Sequence, residues 1–115
     1  MTAIRFALPL GIALAAAACG SSDMPSKQLA DSQAAVRAAS EVGAEQNPQA
    51  ALHLKMARDQ ISKAQALSRE GEYDAAKQLL SQAEVDAELA LTMTREQQAR
   101  ADEEQAQHQL ESMSQ

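Results

Sequence analysis

The stretch NPQAALHLKMARDQISKAQALSREGEYDAAKQLLSQAEVDAELAL, residues 47–91, decides the fold. It opens on Asn47-Pro48. An Asn whose side chain accepts from the following amides, with Pro in the first helical position, is a strong helix start. Leu54, Ala57, Ile61, Ala64 and Ser68 then recur at steps of three and four, which makes one apolar stripe on a helix of about Pro48 to Glu70. Gly71 is the expected stop. A second helix starts near Tyr73 or Asp74, with Ala76, Leu79, Leu80, Ala83, Ala87, Ala90 and Leu91 on its inward face. A short link between two such stripes makes them antiparallel neighbours.

Upstream, Pro25 suits the first turn of a helix running to about Val42, with Asp23 or Met24 near its cap and Leu29, Val36 and Ala39 on one side. Gly43 breaks it, and Ala44-Glu45-Gln46 is the linker. The expected fold is all-α, an antiparallel three-helix hairpin array with a long C-terminal helix, since no Gly or Pro follows Gly71. Opposite charges four apart, Arg37 with Glu41, Asp59 with Lys63 and Glu96 with Arg100, suit its exposed faces. At 1.5 Å per residue the last helix outruns its partner by roughly 20 Å or more. The division expected is a helical domain over 26–94 and a polar helical extension over 95–115. The extension, Arg95 to Gln115, is rich in Gln and Glu. It is either a lone fraying helix or the side that meets another chain.

Composition agrees with helix. Ala, Gln, Glu, Lys, Arg and Leu dominate, while β-branched and aromatic residues are scarce, so contacts should be thin and lined by Ala. The formal charge is −6, and without Arg5 it becomes −7. Basic residues are scattered from Lys27 to Arg100, so no phosphate-binding patch stands out and nucleic acid is not an expected partner. The single cysteine excludes an internal disulfide.

That cysteine has a specific setting. Arg5 supplies a positive start, and Phe6 to Ala18 is an uncharged apolar run of 13 residues. A spanning helix needs about 20, so the run is too short for that and suits the core of a signal peptide over residues 1–18. It ends Leu14-Ala15-Ala16-Ala17-Ala18-Cys19-Gly20. Small residues before Cys resemble the lipobox of bacterial lipoproteins, with Ala16 where Leu is usual. The resemblance implies a diacylglycerol thioether on Cys19, cleavage before it, and acylation of the new amine. Residues 19–25 would then be the lipidated Cys and its tether. Gly20, in place of the Asp that retains such proteins in the inner membrane of enteric bacteria, implies the outer membrane, facing the periplasm.

Val42-Gly43-Ala44-Glu45, Pro48, Leu52, Ala57, Ile61, Ala64, Leu67, Gly71-Glu72-Tyr73-Asp74-Ala75-Ala76, Leu79, Ala83 and Asp86-Ala87-Glu88-Leu89-Ala90 resemble a bacterial lipoprotein family. Its shared region is known as domain of unknown function 4398. The likeness spans Lys27 to Met93 and implies a helical envelope lipoprotein without an assigned activity. Gly71, Tyr73 and Ala76 also resemble the turn inside a tetratricopeptide repeat, but no 34-residue period recurs, so a repeat solenoid is not expected.

Few residues suggest chemistry. His53 and His108 are far apart, and neither has a partner at metal-ligand spacing on its own helix beyond the exposed Glu104–His108 pair, so no metal site is expected. Asp102-Glu103-Glu104 points in several directions around a helix and reads as a solvated face. Glu70, Glu72 and Asp74 lack the pattern of a calcium loop. No Ser stands in a nucleophile elbow. Met56, Met93 and Met113 read as gap-fillers. The expectation is therefore a noncatalytic outer-membrane lipoprotein, without cofactor, acting as an envelope interaction or spacer module. The alternative is a small binding or inhibitory protein that occludes an envelope enzyme or carries a ligand. The membrane is reached through the lipid on Cys19. An envelope protein or a weak homo-oligomer is the candidate partner, through Ala99, Ala106, Leu110 and Met113. No covalent peptidoglycan link is expected, because the chain ends Ser114-Gln115 where the murein-linked staple proteins carry Lys.

Overall fold

The computed structural model describes residues 23–115. The expected signal peptide over 1–18 and Cys19 lie outside the described residues. Three α-helices follow one another: α1 (Ser26–Glu41), α2 (Pro48–Arg69) and α3 (Tyr73–Met113), with a 3-10 turn at Ala44–Gln46 between the first two. The fold is all-α. The long last helix foreseen from the sequence is there, 41 residues or about 61 Å of it.

Each boundary has a local cause. The Asn47 side chain accepts from the amides of Gln49 and Ala50 at 3.1 and 3.2 Å, which supplies two orphan donors of α2 with a partner. Asn47→Ala should destabilise the bundle by about 1 kcal/mol in urea unfolding. An unchanged midpoint would show that Pro48 alone sets this helix start. At the other end Gly71 adopts φ +82°, its amide bonds Ser68 O, and the Glu72 amide bonds Leu67 O at 2.9 Å. This double closure needs a left-handed residue, where a side chain is strained.

Two details differ from the sequence reading. The cap of α1 is Pro25 itself rather than Asp23 or Met24, and it makes no side-chain bond. Lacking an N–H, Pro25 contributes its carbonyl instead, which accepts from the Leu29 amide at 2.9 Å. Among the expected ion pairs, Glu96–Arg100 forms. Asp59 pairs with Lys55, one turn back, rather than with Lys63, and the Arg37–Glu41 pair is not made among the described residues.

α3 holds the assembly together. It packs along α2 and along α1, whereas α1 and α2 touch each other sparingly. One core cluster joins Ala57, Ile61 and Ala64 to Ala76, Leu80, Ala83 and Ala87, with Leu29 and Val36 of α1 packed against it. The second joins Ala39, Ala44, Ala50, Leu54 and Ala90. Alanine on both sides of a contact lets helix axes approach closely, so little apolar volume is needed to exclude water. Ser32 and Thr94 are buried among these residues, and each hydroxyl donates to a carbonyl of its own helix, Leu29 O at 3.0 Å and Ala90 O at 2.8 Å. Thr94 is the last buried residue of the chain, and every residue after it is exposed.

Candidate functional site

The four residues singled out on the extension sit as follows. Ala99, Ala106, Leu110 and Met113 all lie on the exposed part of α3, with Leu110 63% and Met113 75% exposed. Spacings of seven, four and three place them on one side of the helix. They do not prolong the face that α3 turns to the bundle. Ala99 is five residues beyond buried Thr94, which is about 140° around the helix. The arm therefore presents an apolar row in a different direction from the base that carries it, and no residue of this chain covers it among those described.

The root of the arm is fixed. Gln98 Nε2 donates to Val42 O at 2.9 Å, satisfying a carbonyl freed at the end of α1. Beside it, the Arg58 guanidinium donates to Ser40 Oγ at 2.8 Å and to Glu45 at 2.7 Å. This clamps the 3-10 turn between α1 and α2, so Ala44, expected in a linker, is fully buried. The hydrogen bond from Arg58, helped by a backbone donor, holds the Glu45 carboxyl below its ordinary pKa of 4.5. A lowered folded value contributes stability above the ordinary one and loses it as pH falls through the folded one. Both side chains are about half exposed, so that contribution is small and screened.

A second polar group lies between α2 and α3. His53 Nδ1 and Asp86 Oδ1 are 2.9 Å apart, and Gln60 Nε2 donates to Asp86 Oδ2 at 2.9 Å. His53 and Asp86 side chains are only 26% and 16% exposed. Read along one helix, His53 had no carboxylate in range; the carboxylate comes from the neighbouring helix. Ala57, Ala83 and Ala87 share one core cluster, and that packing of α3 on α2 brings Asp86 to His53. Gln60 Oε1 is buried without a partner, so the group is under-satisfied already. Asp86→Ala should remove both bonds and cost about 1–3 kcal/mol, read as a lower urea midpoint. Asp59→Ala, which breaks only an exposed pair with Lys55, should change little. Equal effects from the two variants would show that Asp86 is no more than another surface charge.

Among the described residues no group of three or more His, Cys, Asp or Glu is placed to hold a metal ion. No described helix is long and apolar enough to cross a membrane. Residues 27–106 match the model of a family described as "Domain of unknown function (DUF4398)". That is more than half of the chain, which therefore belongs to this family. No curated protein and no solved structure matches it.

Proposed function

We propose that this member of the DUF4398 family is a noncatalytic, lipid-anchored envelope protein of the outer membrane, whose arm holds an interaction surface away from the lipid. The observation that carries the reading is the polarity of the bundle. The start of α1 lies beside Ala64, Ser68 and Leu80, at the end where α2 turns into α3. Val42, Asn47 and the root of the arm lie at the opposite end. The tether leaves one end and the arm leaves the other.

With the lipid on Cys19, the base stands next to the membrane and the arm points away from it. From Thr94 to Met113 is 19 helical steps, or about 28 Å, and α3 as a whole reaches about 61 Å. More than one acyl chain is needed for stable attachment, since a single chain binds only marginally. A thioether-linked diacylglycerol meets that need, and only a thiol at position 19 accepts it. His53 with Asp86 and Arg58 with Glu45 bond parts of the scaffold to one another, which favours a mechanical role over a chemical one.

Cys19→Ser tests the anchor. The variant should accumulate as an uncleaved precursor or as a soluble periplasmic form, and incorporation of labelled fatty acid should fall to background. Unchanged fractionation together with unchanged labelling would remove the lipoprotein from the proposal.

A further inference from the structure

The sparse contact between α1 and α2 leaves a groove of about 440 Å³ at the anchor end of the bundle. This lies within the size range of small-ligand sites. Pro25 and Leu29 form one wall, Ala64 the other, and Leu80, only 1% exposed, lies at the bottom. Met24 stands at the lip, 62% exposed. The lining is mainly apolar, and exposed Arg69 at its edge makes no ion pair among the described residues. We propose that this groove takes one acyl chain of the lipid on the protein's own Cys19, an inference that rests on the lipoprotein reading above.

The length of chain upstream identifies the occupant. Five residue steps separate Cys19 from Met24, a reach of at most about 18 Å. An acyl chain attached there is held at high effective concentration beside the groove. A flexible hydrocarbon fits a mostly apolar groove, and the guanidinium of Arg69 offers donors to the ester carbonyls of a glyceride. Seating one chain leaves fewer in the bilayer, and membrane affinity falls steeply with the number inserted. The groove thereby sets how readily the lipoprotein leaves one membrane for another.

The test uses the full chain, processed in its native envelope, with a diazirine-bearing fatty acid fed to the cells. After irradiation, mass spectrometry should find the acyl group on peptides containing Met24 to Ala30 or Leu80. Ala30→Trp fills the groove from an exposed position, and it should lose those crosslinks while keeping its lipid and its circular dichroism. If the mature protein carries the label yet crosslinks only to phospholipid, or Ala30→Trp keeps its groove crosslinks, this inference is overturned and the anchor stands. If the mature protein carries no lipid, both fall, and its intact mass separates that outcome from the others.

Discussion

Ile61→Asp should unfold the base of the molecule. Ile61 is 8% exposed and packs with Ala57, Ala64, Leu80, Ala83 and Ala87, none of which offers a donor or a cation. The change removes one of the few large side chains of the core and puts an unpaired carboxylate in its place. An uncompensated buried charge costs about 3–5 kcal/mol. Most small domains have only about 5–15 kcal/mol in all, and a core built on alanine belongs at the low end. The separate helices then lose the tertiary packing that supplies most helical stability in proteins. Far-ultraviolet circular dichroism should show most of the helix signal gone at room temperature. Leu80→Asp, at a side chain buried against the same cluster, should do the same. Ser62→Asp, on the exposed neighbour, should leave the melt unchanged. A cooperative Ile61→Asp melt coinciding with the wild type would refute the packing of α2 on α3.

The stripes of α2 and α3 were legible because their causes are local. A three-and-four spacing fixes a face, and Asn47-Pro48 and Gly71 fix the ends, whatever the rest of the chain does. The links between elements were not legible in the same way. His53–Asp86, Arg58–Glu45 and Gln98–Val42 each join residues on different elements, so no single-helix pattern contains them. Ala44 shows the same limit. Three residues after a Gly read as linker, yet Arg58, 13 positions on from Glu45, pulls that turn against the core. As for function, the described residues bear on the arm and its direction, while the proposed anchor is read from Cys19 and its flanks alone.

Removing everything after Thr94 should leave the base folded and abolish association through the arm. The base keeps both core clusters, since every residue beyond Thr94 is exposed. Among the described residues the side-chain bond it loses to another element is that from Gln98 to Val42 O, worth about 1 kcal/mol. Truncation after Ala101 retains that bond and should melt with the full chain. What both truncations remove is the row of Ala106, Leu110 and Met113, and the shorter one removes Ala99 as well. Spacings of seven make this row a seam of the coiled-coil kind, yet Ala at two positions buries little area. Self-association through it should be about micromolar or weaker. Leu110→Glu tests the row without shortening the helix, because Glu is a good helix former and position 110 is 63% exposed. It should keep the melt and lose the crosslinked species. The competing view is that a polar terminus is simply solvated and inert. On that view in-envelope crosslinking of the full chain, the Leu110→Glu variant and the truncation after Thr94 gives one and the same pattern. If the truncated protein retains every crosslink of the full chain, the arm is not where this protein meets its partners.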